Sequence, residues 1–503
     1  MKNFYITTPI YYVNDVPHIG HAYTSLACDV ISRFKRLDGY DVFFLTGTDE
    51  HGQKVEKAAK NKDIKPIDFV NNVSSNFRNL TKTLNLSNND FIRTTEQRHL
   101  ESCQKLWKKL LESGNIYLDK YSGWYSVRDE AFFGENEIQN GLAPTGAKVE
   151  WVEEPSYFFK LSDWQDRLLA FYRENEGFIL PKTRRNEVIS FVEGGLKDLS
   201  ISRTSFNWGV KVPNDENHIM YVWLDALTNY ITAANYNSNN NDFSKLWPAD
   251  IHMVGKDILR FHAVYWPAFL MAADLPLPKR VFAHGWWTNE GEKISKSLGN
   301  VIDPITIIND FGLDQIRYFL IREVPFGNDG DFSKNQLILR INSDLANNLG
   351  NLYQRVISFS FKFCNQMVPN HNNNIQDEDL KVIELFSKSI DILKKQIDEQ
   401  KLDECIKLIW KNITEANKYI DTQAPWSLKD KNPERMSVIL YTLIEFLRQA
   451  GIMLQPFIPD TAEKILDSLS ININKRTFEN IDDRISPNIV INKPEVLFPR
   501  IDN

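Results

Sequence analysis

Two short stretches contain residues that, by their type and spacing, could bind a phosphate group. The first is "PHIGH", where His18 and His21 flank Gly20 at the point where an apolar run turns into a helical pattern. Two imidazoles one helical turn apart could both stabilise charge developing on a phosphate, and the glycine would let a ligand approach the backbone. Taken alone, the pattern is equally compatible with a helix start whose histidines only satisfy unpaired backbone groups.

The second stretch is "GEKISKSLGN" (291–300), which follows a predicted strand. Lys293 and Lys296 could neutralise the β- and γ-phosphates of a triphosphate as pyrophosphate leaves, with Ser295 and Ser297 beside them. A lone K-x-x-K is more often a solvated basic loop. The two stretches together favour a site for a triphosphate much more strongly than either does alone.

The elements around these stretches follow the order of an open α/β sheet. Residues 4–13 and 41–47 are β-rich apolar runs, and between them residues 19–37 show helical spacing that stops at Gly39. The same order returns with a predicted strand over 250–255, a helix over 257–272 and a strand over 280–287. Ligands of such sheets bind beyond the carboxyl ends of the strands. We therefore predict an α/β fold with a split Rossmann-type parallel sheet, an inserted connective domain and an α-helical bundle.

The predicted domains follow from where this alternation stops. Short aromatic strands interrupt it after residue 115, and long helical patterns dominate the C-terminal third. The predicted order is a first half of the α/β domain (1–115), an inserted domain (116–219), a second half of the α/β domain (220–290), the lysine-containing loop and the region after it (291–344) and a helical domain (345–503).

Composition and charge limit the classes of function. The 503 residues carry a formal net charge of −7, so contact with nucleic acid would need local basic patches. No apolar run approaches about 18 residues, and the N terminus shows no leader pattern, which predicts a cytoplasmic protein with no membrane partner. The four cysteines form no CxxC pair, which predicts no structural zinc.

The two phosphate-type stretches resemble the signatures of class I aminoacyl-tRNA synthetases. Within that class, the words "TTPIYYVNDVPHIGH", "TGTDEHG", "YVWLDALTNY", "VGKDILRFH" and "GWWTNEGEKISKSLGN" resemble the methionyl-tRNA synthetase family, and "LANNLGNLYQRV" and "QAPW" extend the resemblance past residue 420. The resemblance implies a ligase that activates L-methionine with ATP and Mg²⁺ to methionyl-adenylate and transfers it to tRNA(Met). The resemblance further implies that residues 1–115 and 220–290 form the catalytic domain, that residues 291–344 contact the tRNA stem and that the helical domain binds the anticodon.

The resemblance also implies roles for individual residues. The expected ATP-binding residues are His18, Gly20, His21, Gly255, Lys256, Asp257, Lys293, Ser295, Lys296 and Ser297, of which the two histidines and two lysines are expected to be catalytic. The expected methionine-binding residues are Pro9, Ile10, Tyr12, Asp49, Trp223, Ala226, Leu227, Tyr230, Ile258 and His262. Further expectations are an acceptor-end or adenylate contact for Arg203 and CAU anticodon contacts for Asn351, Arg355 and Trp426.

Several of these positions also have a simpler structural interpretation. The detailed role of Leu227 is open for a separate reason, because some family members carry proline at this position. The simpler interpretations are a helix N-cap for Asp49, core packing for the helical stripe over 223–230, a core histidine at His262, and a hydrogen-bonded pair of Asn351 and Arg355 beside a buried Trp426.

The resemblance leaves two further expectations and two rivals. Many relatives bind zinc through cysteine pairs in the inserted region, but residues 116–219 contain no cysteine, so the chain resembles the zinc-free subtype. No C-terminal dimerisation domain follows the helical domain, which predicts a monomer. The rival functions are a sister synthetase for another amino acid and a non-catalytic tRNA-binding paralogue.

Overall fold

The computed structural model describes residues 2–502 apart from 14–15, 129–130, 134, 239–241, 295–298 and 373. The chain divides into two compact units, and each is discontinuous in sequence. Unit 1 comprises Met1–Lys2, His18–Val42 and Gly285–Asn503, and unit 2 comprises Asn3–Pro17 and Phe43–His284.

The strands, in chain order, are β1 (Asn3–Thr7), β2 (Tyr11–Tyr12), β3 (Asp41–Asp49), β4 (Asp90–Arg93), β5 (Ile116–Ser126), β6 (Ala131–Phe133), β7 (Glu150–Phe159), β8 (Ile179–Leu180), β9 (Leu199–Ser200), β10 (Ser202–Arg203), β11 (Lys211–Val212), β12 (Asp215–Met220), β13 (Ile251–Gly255), β14 (Val281–His284), β15 (Trp287–Asn289), β16 (Glu292–Lys293) and β17 (Gly330–Phe332).

The α-helices, in chain order, are α1 (Ile19–Leu37), α2 (Gln53–Asn61), α3 (Pro66–Thr83), α4 (Gln97–Glu112), α5 (Gln165–Glu174), α6 (Lys182–Glu193), α7 (Val222–Ala233), α8 (Phe243–Leu246), α9 (Trp266–Ala272), α10 (Pro304–Phe311), α11 (Leu313–Arg322), α12 (Lys334–Arg340), α13 (Asn351–Phe363), α14 (Asp377–Ile383), α15 (Leu385–Asp398), α16 (Leu402–Gln423), α17 (Pro433–Leu454) and α18 (Pro459–Ser468). Two π-helical segments, Phe261–Tyr265 and Ile341–Gly350, lead directly into α9 and α13.

Unit 2 is built around a seven-stranded sheet in the order β2-β3-β1-β13-β14-β8, with β4 against β3. The pairs β2–β3, β3–β4, β1–β13, β13–β14 and β14–β8 are all parallel. The apolar residues of β13 and β14 are buried along their whole length, as expected for strands covered on both faces. The predicted α/β fold with a split parallel sheet is confirmed.

Gly47 on β3 lies directly opposite Ile92 on β4, with no room for a side chain. A Cβ atom at this position would lie 2.0 Å from the carbonyl oxygen of Ile92 on β4, so only glycine fits without separating the strands. Because Gly47 lies two residues before Asp49, this close pairing fixes the end of the strand that presents the aspartate.

The stretch predicted as an inserted domain contains two antiparallel sheets. Their orders are β6-β5-β7-β9 and β10-β12-β11. One further strand of the same stretch, β8, pairs instead with β14 in the parallel sheet. The boundaries of the five predicted domains stay predictions.

The segment predicted as one helix over 257–272 is divided into three parts. It contains the 3₁₀ turn Lys256–Ile258, the π-helical segment Phe261–Tyr265 and then α9. Pro267 near the start of α9 has no N–H to offer to the carbonyl of Ala263, and the buried hydroxyl of Tyr172 donates to that carbonyl instead at 2.5 Å. A side chain distant in sequence therefore stabilises a π-helical segment that helical spacing alone does not reveal.

Unit 1 combines α1 with a small sheet and a helical bundle. The sheet has the order β16-β15-β17, and the bundle contains α13 to α18, as predicted for the C-terminal third. In the described part of the chain, α17 alone is long and apolar enough to meet the criteria for a membrane span, and 94% of its apolar window is buried inside the protein. It packs against α13, α14, α16 and α18 as a core helix of the bundle.

A buried ion pair attaches α1 to the rest of unit 1. The guanidinium of Arg317 on α11 donates to the carboxylate of Asp29 on α1 at 2.7 Å and to the carbonyl oxygens of Pro456 and Phe457. Both charged side chains are fully buried. Because breaking a buried ion pair is strongly destabilising, this pair stabilises the position of α1 within unit 1.

Candidate active site

Both histidines of the first motif lie at the N terminus of α1 in unit 1. His18 is the N-cap residue, and its Nδ1 accepts the backbone N–H of Gly20 at 3.1 Å. The Nδ1 of His21 accepts the backbone N–H of His18 at 3.1 Å. Both imidazole rings therefore cap the start of the helix, as the capping interpretation predicts. A Cβ atom on Gly20 would lie 3.0 Å from Cε1 of His18, so glycine leaves room for the capping ring.

Capping fixes which ring nitrogen carries the proton of a neutral imidazole. Because each Nδ1 accepts an N–H, the proton of a neutral ring must lie on Nε2. Burial, followed by the neighbouring His18, lowers the pKa of His21 well below its ordinary value. The ring centroids are 3.8 Å apart. A neutral His21 with its proton on Nε2 is a hydrogen-bond donor, so capping and phosphate binding are compatible roles for the same residues.

The described part of the second motif also lies in unit 1. Lys293 is an exposed residue at the end of β16, and its Nζ lies 5.9 Å from the centroid of the Trp286 ring. The backbone N–H of Ile19 donates to the carbonyl of Ile302 at 3.1 Å, which joins the start of α1 to the segment that follows the motif. The predicted Ser295, Lys296 and Ser297 lie outside the described residues.

In unit 2, the structure brings Tyr12 and Asp49 together. They are register partners in the parallel pair β2–β3, and the N–H of Val13 donates to the carbonyl of Asp49 at 3.1 Å. The N-cap residue of α2 is Gly52, so the N-cap interpretation of Asp49 is wrong. The predicted Pro9 and Ile10 lie in the short connection between β1 and β2.

The residue after Asp49 is anchored by its side chain. The fully buried carboxylate of Glu50 accepts two N–H groups of Arg93, at 2.7 and 2.9 Å, and the hydroxyl of Thr95 at 2.5 Å. The backbone N–H of Glu50 donates to the hydroxyl of Thr94 at 2.9 Å. A bidentate guanidinium contact of this kind gives strong geometric specificity, so the backbone at Asp49 is held from its C-terminal side.

The helical stripe predicted for the methionine pocket lies on α7. Ala226, Leu227 and Tyr230 are buried, whereas Trp223 is half-buried. The indole of Trp223 stacks on the ring of Phe261, with the centroids 3.5 Å apart and the planes 12° apart. Because three of the four residues are buried and the fourth is stacked, the stripe is a packed wall, and this arrangement fits both core packing and a ligand-facing role.

His262 is held by two hydrogen bonds beside this wall. Its Nδ1 lies 3.0 Å from the carbonyl oxygen of Ile258, and its Nε2 lies 2.7 Å from the hydroxyl of Tyr230. A carbonyl can only accept, so Nδ1 carries the proton and Tyr230 donates to Nε2. Burial lowers the pKa of His262 to about 4. The imidazole is therefore neutral, and both of its nitrogens are engaged within the pocket wall.

The residues predicted to border adenosine follow β13 in unit 2. The strand ends at Gly255, and Lys256 and Asp257 begin the 3₁₀ turn after it. A Cβ atom on Gly255 would lie 2.5 Å from Oδ1 of Asp257, so glycine allows that carboxylate to fold back over the end of the strand. This is the carboxyl edge of a parallel sheet, where ligands of such folds bind.

Arg203 is buried among the antiparallel strands of unit 2, and its side chain is 2% exposed. It donates to the hydroxyl of Ser200 at 2.7 Å, lies 3.6 Å from the carboxylate of Glu154, and its guanidinium sits 4.0 Å from the centroid of the Tyr221 ring. These contacts give Arg203 a structural role within unit 2. Its predicted contact with the acceptor end or the adenylate stays a prediction.

The three predicted anticodon residues lie near one another in unit 1. Asn351 begins α13, and Arg355 follows one turn later. The guanidinium of Arg355 donates to Asp421 at 2.7 Å and lies 4.9 Å from the centroid of the Trp426 ring. Trp426 is 46% exposed, so the interpretation as a buried tryptophan is wrong. An exposed indole beside a guanidinium is a surface on which unstacked bases stack.

One group of described side chains has metal-ligating chemistry. Nε2 of His99, Sγ of Cys103 and an oxygen of Asp225 all lie within 4.8 Å of one another and are buried. The nitrogen and oxygen are 2.7 Å apart, whereas two such ligands of a tetrahedral zinc ion lie roughly 3.3 Å apart. Burial raises the pKa of the Cys103 thiol, and zinc binds the thiolate. These contacts are hydrogen bonds, and the absence of structural zinc stays a prediction.

Sequence reasoning missed the side chains that hold the predicted site residues. Besides Glu50 and Arg93, these are His51 and His99, which both contact the carboxylate of Asp225. The available signal was an aspartate inside the apolar run "VWLDALTNYITA" of α7. A charge within an otherwise buried helix requires a partner.

Comparison with known proteins defines the class of this fold and site. The family model described as "tRNA synthetases class I (M)" matches residues 4–146 and 137–357, and the model described as "Anticodon binding domain of methionyl tRNA ligase" matches residues 368–503. The architecture is therefore that of a class I tRNA synthetase.

Individual relatives narrow the class to one family. The chain is 58% identical to the methionine–tRNA ligase of Rickettsia felis, over 100% of this chain and 99% of the relative, and 52% identical to that of Rhizobium meliloti, over 99% and 98%. A solved structure of Mycobacterium tuberculosis methionyl-tRNA synthetase in complex with methionyl-adenylate matches with a TM-score of 0.97 at 49% identity, over 99% of this chain and 100% of that one. The chain belongs to the methionyl-tRNA synthetase family.

Proposed function

We propose that the chain activates L-methionine with ATP and transfers the methionyl group to tRNA(Met), for initiation and elongation of translation. The observation that carries the proposal is that unit 2 places the Asp49 carboxylate at a strand end whose next-but-one residue, His51, lies 2.7 Å from Asp225 on α7, the helix that bears the aromatic wall. A fixed negative charge suits the α-ammonium group of an amino acid, and an aromatic wall suits a flexible, polarisable side chain.

In the first step, the carboxylate of methionine attacks the α-phosphorus of ATP. A carboxylate-to-phosphorus bond forms, the bond from the α-phosphorus to the bridging oxygen breaks, and pyrophosphate leaves with that electron pair. His18 and His21 donate from Nε2 to the phosphate groups, whereas Lys293 and Lys296 balance the charge of the leaving pyrophosphate together with the Mg²⁺ of the substrate MgATP. The enzyme contributes positioning and electrostatics and forms no covalent intermediate.

Other residues hold the nucleotide in this proposal. Gly255, Lys256 and Asp257 border the adenosine at the carboxyl edge of the sheet, and Gly20 admits the phosphates close to the start of α1. Ser295 and Ser297 complete the phosphate contacts.

Methionine recognition depends mainly on shape. A thioether is only a weak hydrogen-bond acceptor, so the side chain must fill an apolar cavity. Shape alone discriminates by about 1–3 kcal/mol per methylene, so norleucine should be partly accepted. The residues proposed to form this site are Pro9, Ile10, Tyr12, Asp49, Trp223, Ala226, Leu227, Tyr230, Ile258 and His262.

In the second step, a terminal ribose hydroxyl of the tRNA attacks the carbonyl carbon of methionyl-adenylate and releases AMP. Arg203 is proposed to lie near the acceptor end, while Asn351, Arg355 and Trp426 read the anticodon by stacking and by hydrogen bonds to base edges. The proposal includes a monomeric, cytoplasmic enzyme that needs no structural zinc.

Amino-acid-dependent exchange between ATP and pyrophosphate tests the activation step. Methionine should drive the exchange, and Asp49→Asn should raise the KM for methionine because the ammonium group loses its counter-charge. Asp119→Asn, which changes an exposed aspartate of β5, is the matched control and should leave that KM unchanged. Exchange driven by isoleucine or cysteine instead of methionine would point to a sister synthetase. Complete lack of exchange with every amino acid would favour the non-catalytic paralogue.

A further inference from the structure

Asp225 is a fully buried carboxylate on α7 that two histidines hold. Its Oδ2 lies 2.7 Å from Nδ1 of His51, and its Oδ1 lies 2.7 Å from Nε2 of His99. Burial alone would raise the pKa of Asp225, but the two histidines outweigh burial and lower it below its ordinary value. An ionised carboxylate can only accept hydrogen bonds, so His51 carries its proton on Nδ1 and His99 carries one on Nε2.

The α4 side of this network is supported by further contacts. The hydroxyl of Thr232 lies 3.3 Å from Nδ1 of His99, and the sulfur of Cys103 lies 3.2 Å from its Nε2. His99 is fully buried. Because an isolated buried carboxylate is very costly, Asp225 is tolerated inside α7 only through the hydrogen bonds of this network.

The network joins two segments that the proposed function assigns to methionine. His51 lies two residues after Asp49, the predicted partner of the α-ammonium group. Asp225 lies two residues after Trp223, the stacked end of the aromatic wall on α7. Glu50, which lies between Asp49 and His51, is anchored separately by Arg93. The hydrogen bond between His51 and Asp225 is therefore a direct side-chain link between the strand end that carries Asp49 and α7.

We propose that His51 and Asp225 form a positioning pair that fixes the Asp49 carboxylate relative to the methionine side-chain wall of α7. Neither residue of the pair needs to contact methionine. The inference rests on the proposed function, because the distance between these two segments matters for affinity only if methionine is the substrate. Errors of about 1 Å in placement can cost up to about 100-fold in such sites.

The test compares two ligands that differ only in the ammonium group. Titration calorimetry measures the affinity of the full-length protein for methionine and for its des-amino analogue, 4-(methylthio)butanoate. In His51→Ala, the affinity for methionine should fall roughly tenfold or more, while that for the analogue changes little, so the preference for methionine collapses. His51→Asn keeps an N–H donor at the δ position and should restore the preference.

A general structural role would weaken both ligands equally, so an unchanged preference in His51→Ala would overturn the proposal. Asp225→Asn should reproduce the loss of preference. If Asp225→Asn does not fold because it lies buried on α7, His51→Ala alone tests the proposal. Stoichiometric zinc in the purified protein would also overturn the proposal, because a metal ion on His99, Cys103 and Asp225 would replace the hydrogen bonds on which it depends. Failure of the proposed function is distinguishable, since the unmodified protein would then show no methionine-dependent exchange.

Discussion

Replacing Trp426 with alanine should separate tRNA charging from methionine activation. The indole is 46% exposed, and its ring centroid lies 4.9 Å from the guanidinium of Arg355. Stacking of an unpaired base on such a ring contributes about 1–3 kcal/mol. Since each 1.36 kcal/mol corresponds to a factor of ten, kcat/KM for tRNA should fall roughly 5- to 160-fold.

The same variant should leave methionine-dependent ATP–pyrophosphate exchange unchanged. The residues proposed for activation belong to other segments of the chain, and the half-exposed indole of Trp426 should contribute little to folding. Its contact with Arg355 is an exposed cation–π pair, of a kind that contributes about 0.5–1 kcal/mol. Trp426→Ala should therefore fold normally and keep its first-step activity.

The assay is steady-state methionylation of a tRNA transcript with a CAU anticodon, run beside the exchange reaction on the same preparation. Ile473→Ala is the matched control, because Ile473 is a 76% exposed apolar residue within the same matched anticodon-binding region. The control should keep both activities. Equal losses of charging and exchange in Trp426→Ala, or no loss of charging, would refute the assignment of Trp426 to the anticodon.

Two further predictions concern the stability of the pocket wall. Tyr230→Phe should lower the free energy of unfolding by about 1–3 kcal/mol, measured by urea denaturation, because the buried Nε2 of His262 loses the hydroxyl that donates to it. Tyr236→Phe is the control and should change stability much less, and equal losses would contradict this prediction. The free energy of unfolding should also fall as the pH is lowered from 7 to 4. Histidines of the unfolded chain take up protons below about pH 6.5. In the folded protein, burial holds the pKa of His262 at about 4 and the pKa of His252 well below its ordinary value. The unfolded state therefore binds more protons in this window, and each such histidine contributes up to about 1.4 kcal/mol per pH unit. His262→Gln should flatten the measured slope, and an unchanged slope would show that His262 is not the titrating group.

Sequence patterns predicted those elements correctly that depend on interactions between neighbouring residues. The helical spacing and Gly39 predict a helix over 19–37, and α1 spans Ile19–Leu37, with Gly39 at a φ of +80° after its end. The strands around it were predicted because buried parallel strands are continuous apolar runs. The π-helical segment within the predicted helix over 257–272 was missed, because the hydrogen bond to the carbonyl of Ala263 comes from Tyr172, which is 91 residues away.

The same distinction applies to the site. The motifs identified the candidate residues, but not the network that holds them, since His51 and Asp225 are 174 residues apart and His99 and Asp225 are 126 apart. The local pattern also offered capping and phosphate binding as alternatives for His18 and His21. The hydrogen bonds at the start of α1 show that capping is present, and that it sets the tautomer that phosphate binding would need.

Charging of two tRNA transcripts that differ only in the anticodon tests the central claim most directly. With ATP and radiolabelled methionine, the protein should methionylate the transcript carrying CAU and should charge the transcript with an altered anticodon far less efficiently. If neither transcript were charged with methionine, or if another labelled amino acid were attached instead of methionine, the assignment of this chain as a methionine–tRNA ligase would be contradicted.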